Sequence, residues 1–163
     1  MLCFAYGSNM SRARLQARLA SVRFVTVASL PGHRLNFHKV GCDGSAKCDA
    51  EATGRAGDCV IGVVYEIDEA DKSVLDRIEG LGVGYRDKTV EVLTAQGDTL
   101  TATLYVATRV DPALKPYSWY RHHVLVGARE HGLPSAYIAR IEAVAVCEDP
   151  DRERHHRELA IHR

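Results

Sequence analysis

Two segments of this 163-residue sequence combine residue types suited to chemistry. The first is a turn made of Tyr6, Gly7, Ser8 and Asn9, which follows a short apolar run and precedes an arginine-rich segment. Such a turn presents several backbone N–H groups, the glycine allows a ligand to approach them, and the dipole of a following helix favours an anion. This Tyr6–Asn9 turn is therefore a candidate anion site. A plain strand-to-helix turn capped by Asn9 explains the pattern at least as well.

The second segment centres on Glu79, which ends a predicted helix immediately before Gly80. The helix dipole is negative at this end and disfavours an ionised carboxylate by a few tenths to about 1 kcal/mol. If the side chain is also buried, both effects raise the pKa of Glu79 towards neutrality. A general base that takes a proton from an ammonium group needs such a raised pKa. Glu79 is therefore a candidate catalytic residue. The alternative is an exposed glutamate at a frayed helix end.

The elements that must position these residues follow from the hydrophobic pattern. Continuous or alternating apolar runs predict strands, and apolar residues three and four apart predict helices. Residues 40–57 are mostly small and polar with no periodicity, so we expect an irregular surface loop there. The predicted strands are 2–6, 23–28, 35–38, 60–67, 89–94 and 100–107, and the predicted helices are 11–19, 68–79, 118–131 and 134–145.

Strands dominate the first two-thirds of the chain, and helices follow only the first and the fourth of them. This order fits neither a regular βαβ alternation nor an all-β protein. We therefore predict an α+β fold, a mixed β-barrel with helices packed around it. One domain is expected over residues 1–148, followed by a charged, histidine-rich C-terminal tail at residues 149–163.

Composition narrows the class of partner. The 21 Lys and Arg residues balance the 21 Asp and Glu residues, whereas a nucleic-acid or anionic-membrane surface usually leaves a basic excess. No apolar run approaches the roughly 20 residues needed to span a bilayer. The five cysteines are an odd number without a C-x-x-C pair, which indicates reduced thiols. We expect a cytoplasmic monomer or homodimer that binds a small polar molecule, with no nucleic acid and no membrane.

The sequence lacks the spacing of a metal site. His122 and His123 are adjacent and point about 100° apart on a helix, and the five-residue gap between Cys42 and Cys48 does not suit a zinc knuckle. The glycines that follow Glu79 also have the wrong spacing for a dinucleotide fingerprint. We expect no metal and no cofactor.

A local basic stripe lies near the N-terminus. Its four members are Arg12, Arg14, Arg18 and Arg23. Because no aromatic residues interleave with them and the rest of the chain cancels their charge, we interpret the stripe as a solvated helix face.

Several motifs resemble those of the γ-glutamylcyclotransferase family. They are Phe-Ala-Tyr-Gly-Ser-Asn-Met at 4–10, Gly-Val-Val-Tyr at 62–65, Leu-Asp-Arg-Ile-Glu-Gly at 75–80, Gly-Tyr at 84–85 and Gly-Ala-Arg-Glu-His-Gly-Leu-Pro at 127–134. The similarity runs from about residue 3 to residue 141 and implies the family's BtrG-like mixed barrel. Asn9 matches the γ-glutamyl and γ-glutamylamine branches better than the glutathione-degrading branch, whose loop usually reads Tyr-Gly-Ser-Leu.

The resemblance implies an intramolecular acyl transfer, of an acyltransferase or amide-cleaving lyase class. The α-amino nitrogen of a γ-glutamyl amide attacks its own γ-carbonyl and releases 5-oxoproline and a free amine. By analogy Glu79 moves the proton, the Tyr6–Asn9 turn holds the substrate carboxylate and the oxyanion, and Tyr85 and Tyr137 lie near the pocket. Residues 41–48 match no family motif, so the leaving amine stays unassigned. A non-catalytic module that binds γ-glutamyl or amide ligands is the alternative function.

Overall fold

The computed structural model describes all residues from 1 to 163. Its strands are β1 (Leu2–Ala5), β2 (Val22–Pro31), β3 (His33–Val40), β4 (Ala46–Ala52), β5 (Cys59–Ile67), β6 (Tyr85–Thr94) and β7 (Thr99–Ala107). Its helices are α1 (Arg12–Gln16), α2 (Glu69–Glu79), α3 (Ser118–Glu130), α4 (Ser135–Glu142) and α5 (Arg152–Ala160). None of these helices has the length and apolar composition that crossing a membrane requires.

Five strands close into a barrel in the order β1-β5-β2-β6-β7. Strand β1 pairs antiparallel with β5 and, through Cys3 and Thr103, parallel with β7, so the barrel is mixed. The apolar run predicted as a strand at 60–67 lies in β5, where Val60, Val63 and Val64 are fully buried. The predicted α+β fold, a mixed barrel with surrounding helices, is confirmed.

The prediction of an irregular loop over residues 40–57 is wrong for its central part. Residues 46–52 form β4, which pairs antiparallel with β3 as a two-stranded sheet. The sequence pattern does not indicate this strand, because its residues are mostly small or charged and make polar as well as apolar contacts. The Asp49 carboxylate accepts a hydrogen bond from the Ala107 N–H of β7 at 2.8 Å, which holds β4 to the barrel, and another from His38 of β3 at 2.9 Å.

Helix α1 is shorter than the predicted helix 11–19. Residues 8–10 form a single 3₁₀ turn, and Ser11 caps α1 by accepting a hydrogen bond from the Arg14 N–H at 3.3 Å. Asn9 does not cap the helix, so its side chain is available for another contact. Helix α4 ends at Glu142, and the predicted continuation to 145 lies outside it.

The charged segment 149–163 contains α5, a helix that the sequence analysis did not predict. The buried Asp149 accepts a hydrogen bond from the Trp119 indole N–H at 2.8 Å and pairs with Arg154. Farther along, Glu158 pairs with the buried Arg14 and lies 3.0 Å from His123 Nε2. These contacts hold α5 against α3 and α1. They also contradict the interpretation of the basic stripe as wholly solvated, since Arg14 is only 6% exposed.

This docking makes stability sensitive to pH. Burial lowers the pKa of His123 from 6.5 to about 4, and it also lowers the pKa of His162. The unfolded chain therefore binds protons first as the pH falls from 7 towards 4, and the folded state loses stability across that window. We expect the free energy of unfolding in urea to decrease there by about 1 to 3 kcal/mol.

A variant separates this effect from general acid denaturation. His123→Gln should be less stable than the native protein at pH 7, but its stability should change less between pH 7 and pH 5. His156→Gln, on the exposed face of α5, serves as the control and should keep the native pH dependence. If the free energy of unfolding changed equally with pH in all three proteins, the assignment to His123 would be contradicted.

Candidate active site

The Tyr6–Asn9 turn leaves the barrel at the end of β1. The first hydrogen bond inside its 3₁₀ segment is donated by the Met10 N–H to the Gly7 carbonyl at 3.0 Å, so the N–H groups of Ser8 and Asn9 have no partner within the turn. Gly7 is needed for packing: a Cβ there would lie 2.9 Å from Cys48 Cβ on β4. The turn thus lies directly against the strand that the sequence analysis missed.

Glu79 is the last residue of α2, as predicted. Gly80 follows it in the left-handed conformation, with φ 64° and ψ 53°, and ends the helix. The Glu79 side chain is only 15% exposed, which rules out the alternative of an exposed side chain at a frayed end. Its Oε1 accepts a hydrogen bond from Asn9 Nδ2 at 2.9 Å and lies 3.3 Å from Arg18 Nη1. The structure therefore joins the two candidate segments across 70 residues of sequence.

Arg18 completes this contact from the other side. Its Nη1 donates to Asn9 Oδ1 at 2.8 Å as well as approaching Glu79, so one guanidinium orients both side chains. Burial lowers the pKa of Arg18, although the guanidinium remains a cation at any physiological pH. The interpretation of Arg18 as part of a solvated face is therefore wrong, since its side chain is only 21% exposed.

Aromatic side chains wall the cavity beside Glu79, whose volume is about 50 Å³. The Tyr85 hydroxyl donates to the Cys48 carbonyl at 2.8 Å, the Tyr6 hydroxyl donates to the Tyr105 carbonyl, and the Tyr120 hydroxyl accepts from the Cys48 N–H at 3.0 Å. Burial raises the pKa of Tyr6, Tyr85 and Tyr120 well above 10, so all three stay neutral. Because the Tyr6 and Tyr85 hydroxyls donate to backbone carbonyls, these two rings supply mainly shape and an apolar wall. The Tyr120 hydroxyl accepts from the backbone, and its own proton has no acceptor within the protein.

A wider cleft of about 540 Å³ adjoins the cavity. Ser8, Glu79, Tyr85 and Tyr120 line both spaces, so Glu79 lies at their boundary. A ligand that reaches into the cavity and extends into the cleft would pass the Glu79 carboxylate.

The structure brings all but one of the predicted site residues to the cavity. These are Tyr6, Gly7, Ser8, Asn9, Glu79 and Tyr85. Tyr137 lies elsewhere: its hydroxyl accepts a hydrogen bond from the Ile61 N–H at 3.1 Å, and it lines a separate cavity of about 200 Å³. Its position on an apolar helix face carries no information about which cavity it reaches.

Further residues that were not predicted as part of the site line the cavity. Among them are Cys48, Tyr105 and Tyr120, and the positioning residue Arg18 contacts Glu79 beside them. Burial raises the pKa of Cys48 to about 12, so this thiol stays protonated and does not act as a nucleophile near neutral pH. Of these residues, only Tyr105 was indicated by the sequence, because the apolar alternation of the predicted strand 100–107 places it on the barrel.

Comparisons with known proteins show which family this chain resembles. The model of the AIG2-like family matches residues 59–141, which include Glu79 and Tyr85. Human gamma-glutamylcyclotransferase is 33% identical over 147 residues, covering 88% of this chain and 78% of the human protein, and the mouse protein matches equally well.

Solved structures show the same fold. A structure described as gamma-glutamyl cyclotransferase superimposes with a TM-score of 0.86 at 26% identity and covers 98% of both chains. A crystal structure of an uncharacterized human protein superimposes with a TM-score of 0.82 at 29% identity, over 90% of this chain and 88% of that one. Sequence and structure together show that the chain belongs to the AIG2-like, γ-glutamylcyclotransferase family.

Proposed function

We propose that this protein cleaves a γ-glutamyl amide by intramolecular acyl transfer, releasing 5-oxoproline and a free amine. The observation that carries the proposal is the hydrogen bond of 2.9 Å between Asn9 Nδ2 and Glu79 Oε1. The bond joins a largely buried carboxylate to a turn in which the Ser8 and Asn9 N–H groups lack partners within the turn. A proton acceptor and a set of oxyanion donors are the two parts that this reaction needs.

The proposed reaction starts with the transfer of a proton from the substrate α-ammonium to Glu79. The freed amine then attacks the γ-carbonyl carbon and forms a five-membered ring with a negatively charged oxygen. Donors of the Tyr6–Asn9 turn stabilise that oxygen. When the carbon–nitrogen bond to the leaving group breaks, the protonated Glu79 returns its proton to the departing nitrogen. The regenerated carboxylate then accepts the second proton from the ring nitrogen and passes it to the released amine, which leaves as an ammonium.

Asn9 and Arg18 act as positioning residues in this scheme, because both fix the orientation of the Glu79 carboxylate. No water and no external nucleophile take part, since the substrate carries its own amine. The surrounding tyrosines exclude water, which strengthens the electrostatic interactions within the cavity.

A substrate panel tests the proposal. Purified protein is incubated with γ-glutamyl amino acids and γ-glutamyl amines, and 5-oxoproline is followed by mass spectrometry. We expect product from at least one member, with stoichiometric release of its amine. Binding without product across the panel would support the alternative, a non-catalytic module that holds γ-glutamyl ligands.

A further inference from the structure

The cavity that Tyr137 lines, between β3 and α4, is separate from the candidate active site. It shares no lining residue with the cavity or the wider cleft beside Glu79. Its volume of about 200 Å³ is well above the roughly 10–15 Å³ that one water molecule needs. We call it the α4 cavity. Its walls are mainly apolar and consist of Leu35, Phe37, Cys59, Tyr137, Ile141 and Val144.

Hydrogen bonds at both ends of α4 keep this space open. Near the start of the helix, the Tyr137 hydroxyl accepts from the Ile61 N–H of β5 at 3.1 Å. Beyond its end, Arg121 of α3 donates to the carbonyls of Glu142 at 2.8 Å and Val144 at 2.6 Å. A helix that moved onto β3 would break these bonds and leave polar groups without partners. The α4 cavity therefore cannot close by a simple shift of the helix.

The charged residues of the α4 cavity leave one cation free. Arg34 and Asp58 neutralise each other at a distance of 3.0 Å. The guanidinium of Arg140 lies against the Tyr137 ring, 5.0 Å from its centroid, and forms no ion pair or hydrogen bond within the protein. Its planar set of N–H donors matches a carboxylate, which it can bind through two parallel hydrogen bonds.

We propose that the α4 cavity is a second ligand site, which binds a small amphipathic carboxylate. A short hydrocarbon chain or a single ring packs against Phe37 and Ile141, and the carboxylate pairs with Arg140. A neutral apolar ligand would leave Arg140 without a counter-ion, and a second negative charge would approach Asp58. The volume lies below the 300–1,000 Å³ of pockets for drug-sized ligands, which limits the ligand to a small molecule.

Three probes test this chemistry on the native protein by calorimetry. They are 3-phenylpropionate, its neutral amide 3-phenylpropanamide, and acetate, which lacks the apolar part. We expect 3-phenylpropionate to bind with a Kd of about 0.1–5 mM, as is usual for a ligand of about a dozen atoms. The amide and acetate should each bind at least about 10-fold more weakly. Equal affinity for the amide or for acetate would overturn the proposal, and so would the absence of 3-phenylpropionate binding at millimolar concentrations.

Substitution of arginines locates the probe. Arg140→Met should weaken the binding of 3-phenylpropionate by about 10-fold, and Arg140→Lys should keep part of the affinity. Arg109→Met is the matched control, because Arg109 is also exposed and without an ion pair but lines the cleft beside Glu79. It should bind 3-phenylpropionate as the native protein does. Weaker binding by Arg109→Met with native affinity in Arg140→Met would place the probe in the catalytic cleft and overturn the second site.

Discussion

Replacing Glu79 with Gln is expected to lower kcat by at least about 10²-fold, the usual contribution of a general acid or base. Glutamine has nearly the same size, and its side-chain oxygen still accepts hydrogen bonds from Asn9 Nδ2 and Arg18 Nη1. The geometry of the site should therefore persist, whereas an amide cannot accept the proton of the substrate ammonium. Substrate affinity, measured by calorimetry with the inactive variant, should stay within a few-fold of the native KM.

Glu69→Gln is the control for this variant. Glu69 lies exposed in the first turn of the same helix, so the substitution makes the same chemical change outside the site. Its turnover should match that of the native protein. Near-normal turnover of Glu79→Gln would show that another group moves the proton.

Replacing Gly127 with Ala is expected to reduce both stability and activity. A Cβ at Gly127 would lie 2.5 Å from Met10 Cβ and from the Ser11 backbone nitrogen, so the backbone after the Tyr6–Asn9 turn would have to shift. Alanine is favoured over glycine within a helix by about 1 kcal/mol, but overpacking against rigid backbone costs typically 1–3 kcal/mol and occasionally more. We expect a net loss of about 1 kcal/mol or more in the free energy of unfolding.

Activity should fall further than this loss of stability explains. Moving Met10 displaces the neighbouring Asn9, whose side chain must reach Glu79 across 2.9 Å. Gly57→Ala is the control, because a Cβ at this position meets nothing within 4 Å. Urea denaturation and 5-oxoproline release measure the two effects. A Gly127→Ala protein as stable and active as Gly57→Ala would show that α3 and the turn are not packed as described.

Local pattern predicted the barrel strands well. Strand β5 was found from its run of β-branched residues, and α2 was found with its end at Glu79, because glycine stops a helix wherever it must adopt a positive φ. Strand β4 and helix α5 were missed. Their stabilising contacts, such as Asp49 with the Ala107 N–H and Asp149 with Trp119, join residues far apart in sequence.

In the candidate site, too, the residues with a local signal in the sequence were predicted and those placed by long-range contacts were not. Glu79 and the Tyr6–Asn9 turn were identified because a carboxylate at a helix C-terminus and a glycine turn after a buried strand are locally unusual. Arg18 was assigned to a solvated face, since nothing in its neighbourhood along the chain indicates that it meets Glu79, 61 residues away. Tyr137 was grouped with the site although it packs against Ile61.

The sequence by itself determined the secondary-structure periods, the balanced charge, the helix end at Glu79 and the motifs that mark the family. Only the tertiary structure decided which polar groups meet. Closure of the barrel brings the end of β1 beside the end of α2, so Asn9 contacts Glu79 instead of capping a helix. It also buries Arg14 and pairs it with Glu158, 144 residues away in the sequence. Charge counts along a chain cannot reveal this, because electrostatic interactions depend on distance and burial in the folded protein.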